Sequence, residues 1–216
     1  MRQIRMPMNL YRTPCSPAYW HEANLAMKCL KLLVFAALMI AVTRALSLIP
    51  GIPIWHTKLT WGFLARSVCA LVCGPLLGLV FGFAEDILGF ILQPPGDFFP
   101  GYTLSTMAGV LVYALFFFRR RITVVNLVLA NAVVNLLVNA AMGSVWSTMV
   151  RGGGYLGWFI PSLAKNLITI LPKAAALYIL FQALLPILRR MDLIPDQTEG
   201  RSRIFKRSLS RTGPRL

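Results

Sequence analysis

The chain has 216 residues, of which 57% are hydrophobic and only 13% charged, with a mean hydropathy of +0.66 and a formal net charge of +15. So few charged groups cannot cover the surface of a water-soluble domain of this length, and the composition is that of an integral membrane protein. The positive charge is gathered in two tails and one turn, so the high pI does not by itself point to nucleic acid.

Residues 1–30 are polar and basic without apolar periodicity, and read as a cytoplasmic tail with an interfacial stretch at Tyr19-Trp20. The first apolar run starts too late for an ordinary signal-peptide n-region and is long enough to span, so no cleavable signal is expected. Six apolar segments follow, over 31–50, 59–73, 75–92, 103–118, 123–148 and 159–188, cut by Pro50-Gly51-Ile52-Pro53, Gly74-Pro75, Pro94-Pro95-Gly96, Arg119-Arg120-Arg121 and Gly152-Gly153-Gly154. The second and fourth are short for a hydrocarbon core of about 30 Å, which predicts tilted or partly embedded helices there. Residues 189–216 form a second basic tail. The expected architecture is all-α: a membrane domain at 31–188 built as a bundle of six transmembrane helices.

Lys31 and the residues before it hold five Lys and Arg, the Arg119–Arg121 turn three, and the stretch from Arg189 onward eight. Six spans put all of these on one side, and the positive-inside rule places both termini in the cytoplasm. Topology and anionic headgroups then account for the charge of the tails, with no nucleic-acid partner. The cations left over are Arg44, Lys58, Arg66, Arg151, Lys165 and Lys173. Arg44, Arg66, Arg151 and Lys165 fall toward the outer leaflet on separate segments, and Lys173 falls near mid-membrane. Each alone could snorkel to the headgroups; together they suggest an outward-facing cavity for an anion.

The first span carries Ala37, Ala41 and Ala45 at four-residue spacing, a surface that lets another helix approach closely. Gly74, Gly78 and Gly82 form a similar ladder that suits packing within the bundle. Cys69 and Cys73, one turn apart in an apolar run, suit packing better than metal binding, for want of nearby ligands. Glu85 and Asp86 are the only acids within the spans. They either pair with the lysines of the last span or meet the amino groups of a ligand. In the fifth span Asn131, Asn135 and Asn139 share one face, with Trp146 nearly in register. The stack either ties helices together or lines a polar cavity suited to a heterocycle. Lys165, Thr169 and Lys173 form a stripe on the sixth span beside Asn166, and Pro172 is expected to kink that helix. The loop from Gln93 to Tyr102 is rich in Pro, Gly and aromatics, and reads as an interfacial belt or as a lid. No Walker A pattern occurs, and neither His21 nor His56 lies inside a span, so neither ATP hydrolysis by this chain nor a histidine-based metal site is expected.

The span ending in Thr43-Arg44, the Gly74-Pro75-Leu76 turn, Phe83-Ala84-Glu85-Asp86-Ile87-Leu88-Gly89, Phe98-Phe99-Pro100-Gly101-Tyr102-Thr103-Leu104-Ser105 and Lys165-Asn166-Leu167-Ile168 resemble the S components of energy-coupling factor transporters. The resemblance covers about residues 32–188 and is greatest to the folate-specific branch. It implies a non-enzymatic, cofactor-free subunit in a bacterial plasma membrane that captures folate from outside. Delivery inward would depend on a membrane coupling (T) subunit and two cytoplasmic ATPases. Ala37 and Ala41 match the family's Ala-x-x-x-Ala contact with the coupling subunit, and the Phe98–Tyr102 loop matches a gate. Under this reading Arg44, Lys165 and Arg151 hold carboxylates, and Asn135, Asn139 and Asp86 meet the heterocycle. Phe98, Phe99 and Trp146 cover the ligand, and Asn166 belongs to the Lys-Asn block. Pro161-Ser162 departs from the Pro-Arg common in that branch, which leaves another water-soluble vitamin as an alternative. A small intramembrane enzyme using Glu85 and Asp86 on an anionic lipid is a third reading.

Overall fold

The structure is a computed structural model of the whole chain, and it describes residues 10–195 apart from 12, 13, 15, 55, 56 and 94–97; side chains at 52–59 are also not described. The expected calls on Cys15, His56, Lys58 and the tip of the 93–102 loop therefore lie outside the described residues.

Helix α1 (Pro17–Lys28) opens the chain, capped by Ser16 and with proline at its first position. Helix α2 (Leu30–Leu48) is the first span. A small antiparallel hairpin follows, β1 (Ile52–Ile54) paired with β2 (Thr57–Leu59), and it is a minor departure from an otherwise all-helical chain. Then come α3 (Gly62–Leu92), α4 (Pro100–Phe117) and α5 (Val124–Val133). A π-helical stretch (Val134–Met142), α6 (Gly143–Arg151) and α7 (Tyr155–Arg190) complete the fold.

Helix α3 is two spans folded into a hairpin. A straight helix would hold residues 66 and 85 about 28 Å apart. Instead Arg66 Nε and Nη2 donate to the two carboxylate oxygens of Glu85 at 3.0 and 3.2 Å. The chain therefore reverses at Gly74, whose φ of 78° and ψ of −175° break the helix just before Pro75. Limb 62–73 rises only about 18 Å, as its short apolar run predicted. Almost every residue from Phe63 to Cys73 is buried, so neighbouring helices rather than lipid surround it, and its backbone ends are not left bare in hydrocarbon. With α2, limb 75–92, α4, the α5–π–α6 rod and α7, the chain makes six passes.

The glycine ladder packs limb 75–92 onto α4, as its spacing suggested. A Cβ at Gly78 would sit 3.1 Å from Val110 Cγ1, and one at Gly82 3.1 Å from the Met107 Cα. Cys69 and Cys73 are buried in the same core, the latter donating weakly to the Leu32 carbonyl at 3.8 Å. Helix α7 runs through Pro161, Pro172 and Pro186 as one element.

The stretch read as a featureless tail is structured in part. Tyr19, Glu22, Ala23 and Ala26 are buried at helical spacing on α1. The Tyr19 hydroxyl donates to the Ala114 carbonyl at 3.3 Å, and its ring meets Phe118 edge-on. Glu22 pairs with Arg119 at 3.2 Å and accepts from the Tyr11 hydroxyl at 2.7 Å. Arg119 has a φ of 53° in the turn after α4, and its carbonyl accepts from the Tyr11 amide at 2.8 Å. Burial lowers the Arg119 pKa from its ordinary value, and the Glu22 carboxylate opposes that shift. Lys31 donates to the Met191 carbonyl. The N-terminal helix, the triple-arginine turn and the end of α7 thus share one end of the bundle, as the charge distribution required.

Gly74→Ala forces a Cβ to within 2.9 Å of the Phe118 ring and a side chain into positive φ. It is expected to cost about 1–3 kcal/mol, read as a lower thermal midpoint in detergent. Gly109→Ala, whose Cβ would meet Val134 at 3.9 Å, is expected to be tolerated.

Candidate functional site

The structure sorts the sequence-predicted residues into two groups. The first is a polar cluster inside the bundle. Glu85 has no solvent exposure and receives Arg66 from limb 62–73 and Arg44 from the end of α2. Arg44 reaches it across Gly89, where any Cβ would collide with the guanidinium. Two cations on one carboxylate satisfy a charge that could not be buried alone. This arrangement revises two expectations. The acid is not paired with the lysines of α7, and Arg44 is not a free anion grip, since its guanidinium is engaged by Glu85. The pairing of Glu85 with Arg66 and Arg44 is not among the partners that the sequence suggests for the acid. The signal available was the spacing of Arg66 and Glu85 around Gly74-Pro75, once that turn is read as a hairpin.

Asp86 accepts from the hydroxyls of Thr103 at 2.7 Å and Thr106 at 2.9 Å, which fixes it against the start of α4. It remains within electrostatic reach of Arg44 and Arg66.

On the far side of the cluster Lys173 donates to Asn135 Oδ1 at 2.7 Å and lies 5.8 Å from the centre of the Phe63 ring. Asn139 donates to the same Asn135 oxygen at 3.1 Å. Lys165 and Arg66 are within electrostatic reach of Lys173. Asn131, by contrast, is buried in structural bonds to the Tyr113 hydroxyl at 3.1 Å and the Leu127 carbonyl at 2.9 Å. The three asparagines therefore do not act as one face. The π-helical stretch begins between the first and the second and shifts their register. Asn166 is buried and donates to the Ser162 carbonyl at 2.8 Å, while Lys165 beside it is exposed.

The second group is aromatic. Phe98 meets Phe90 edge-on at 5.1 Å, and Phe99 lies 5.7 Å from both Tyr102 and Trp146. Trp146 Nε1 donates to Ser105 Oγ at 2.8 Å, which ties the fifth pass to α4. Gly101 makes this possible, because a Cβ there would strike the Phe99 and Trp146 rings. Phe98, Phe99, Gly101 and Trp146 border an apolar groove of about 650 Å³ with Phe83, Ile87 and Met107. Thr103, which holds Asp86, lines it too, so the acid stands between the aromatic and the polar groups. Arg151 joins neither; it is exposed, with its guanidinium 5.5 Å from the Trp158 ring. Trp146 likewise meets α4 rather than the asparagines.

The bundle thus sets an apolar aromatic groove beside a cluster of cations, amides and acids. No family model matches the chain. It is 28% identical over 152 residues to a protein of Clostridium novyi named folate transporter FolT, which covers 70% of this chain and 88% of that protein. A namesake from Leuconostoc mesenteroides is 27% identical over 117 residues, or 51% of this chain and 63% of the other. A crystal structure described as FolT bound with folic acid superposes with a TM-score of 0.62 at 24% identity, over 70% of this chain and 91% of that one. The fold is shared with that structure. The long apolar helices and the similarity to these transporters are those of a multi-pass membrane protein.

Glu85→Leu leaves two arginines without their carboxylate and is expected to lower stability by about 3–5 kcal/mol. Asp86→Asn, which keeps the threonine contacts, is expected to cost far less. Denaturant unfolding in detergent compares the two.

Proposed function

We propose that this chain captures folate or a close derivative at the extracellular face of a bacterial plasma membrane and delivers it inward with an ATP-driven coupling module. It performs no chemistry itself and needs no cofactor. The observation that carries the proposal is its similarity to proteins named folate transporter. The site supports it. A flat heterocycle suits an apolar groove edged by Phe98, Phe99 and Trp146, with Asp86 placed to accept hydrogen bonds from ring amino groups. A dianionic tail suits a cluster in which Arg44, Arg66 and Lys173, with the exposed Lys165 nearby, outnumber Glu85 and Asp86. Glu85 is bonded to two arginines, which disfavours its use as a general base or metal ligand on a lipid. Both termini face the cytoplasm in this reading, because the basic segments gather at one end of the bundle.

Coupling is assigned to α2. Ala37 and Ala41 are exposed on a helix whose outer face is otherwise Leu30, Val34 and Leu38. Small residues there leave room for a helix of a membrane coupling subunit, which in turn engages two cytoplasmic ATPases.

The purified protein in detergent is expected to bind folic acid saturably without ATP, followed by tryptophan fluorescence. Binding of a different water-soluble vitamin with no response to oxidised or reduced folates would overturn the substrate. That alternative rests on Ser162, which stands where a cation is common in the branch and bonds Asn166 instead. Ala41→Trp is expected to abolish co-purification with the coupling subunit while folic acid affinity stays unchanged.

A further inference from the structure

We propose that Lys173 and Asn135 form a deep subsite that receives a carboxylate of the ligand, with Lys165 reinforcing the field around it. The inference rests on the folate reading for the identity of the ligand and assigns the place of its charged end.

The first argument is charge balance. Arg44 and Arg66 share Glu85, and Asp86 lies close enough to act on both. Those two cations and two acids balance one another. Lys173 bonds the neutral Asn135 oxygen and faces the Phe63 ring, and the charged groups acting on it, Lys165 and Arg66, are cations. It therefore carries positive charge that no described acid balances, with the exposed Lys165 adding to the field. A half-buried cation with a neutral partner selects an anion more strongly than one already neutralised.

The second argument is the orientation of the Asn135 amide. Its oxygen accepts from both Lys173 and Asn139, so the amide cannot be reversed without facing donor to donor. The nitrogen is then committed to the other direction. Asn135 has no solvent exposure, and its Nδ2 has no hydrogen-bond partner among the described residues. Leaving such a donor unmet is unfavourable. The ammonium of Lys173 has two further N–H groups beyond the one given to Asn135. One side chain from the π-helical stretch and one from α7 thus offer donors from a single bonded pair. A carboxylate, with two acceptor oxygens, matches such a set. The π-helical stretch belongs to the same design, since wide turns of this kind occur where a helix must present groups to a site.

A purely structural Lys173–Asn135 link between two spans would give the same bond, so the test compares ligands. Dissociation constants are measured for folic acid and for its analogue with both tail carboxylates amidated. In Lys173→Gln the affinity for folic acid is expected to fall by about tenfold or more, while the diamide changes by no more than about twofold. Asn135→Asp keeps the shape of the side chain and gives Lys173 its own acid. It should therefore fold and show the same selective loss. Equal losses for both ligands, or unchanged affinity for folic acid in both variants, would overturn the subsite while leaving the folate reading intact. Failure of the unaltered protein to bind folic acid would overturn that reading and the subsite with it.

Discussion

A carboxylate without solvent exposure, shared by two arginines, is the interaction on which the interior of this bundle depends. Hydrocarbon does not tolerate a lone cation, and a lone buried acid would give up its charge. Glu85 resolves both problems at one point, and it can do so only because three separate segments converge there. Helix α2 contributes Arg44, limb 62–73 contributes Arg66, and limb 75–92 contributes the acid. The convergence requires a reversal of direction at Gly74 and an absent side chain at Gly89, where Arg44 passes. Two glycines and one glutamate thus set how close the first three passes lie.

Once those charges are matched, what remains unmatched gains meaning. Lys173 of α7 meets an amide, not an acid, and the amide at Asn135 keeps a donor in reserve. The aromatic groove lies beside the opposite flank of the cluster, against α4. An amphiphilic ligand with a flat apolar end and an anionic end is the kind of molecule that such an arrangement accommodates. Asp86, held by Thr103 and Thr106, sits where the two environments meet. The fold supplies the scaffold for this division, and the proposed substrate class rests on similarity to proteins named folate transporter.

Much of the architecture was legible in the sequence because membrane passes are written in long apolar runs and basic turns. Even the short second pass could be read from the length of its run. The packing of the glycine ladder followed from its spacing alone. The partners of the charged residues did not follow, since hydropathy says which helix a residue is on but not which helices touch. Arg44 was therefore read as facing a ligand when it faces Glu85. The asparagine stack was read with an α-helical period, and the π-helical stretch broke that register between Asn131 and Asn135. Helix α1 escaped notice because its buried face includes Tyr19 and Glu22, which do not register as apolar. Arg151 shows the reverse error, a cation at the expected depth that the fold leaves beside Trp158.

The contact between α1 and the triple-arginine turn has a bearing on where the folding unit begins. Hydropathy draws the edge at residue 31, where the first span starts. The packing draws it some twenty residues earlier, because Tyr11 bonds both the Arg119 backbone and Glu22, and Glu22 in turn meets the Arg119 guanidinium. A chain trimmed to its spans would leave Arg119 in a left-handed turn without its counter-ion and expose the Phe118 face that Tyr19 covers. The N-terminal segment is thereby a plug seated in the end of the bundle, and any rigid-body movement of the helices in the bilayer carries it along.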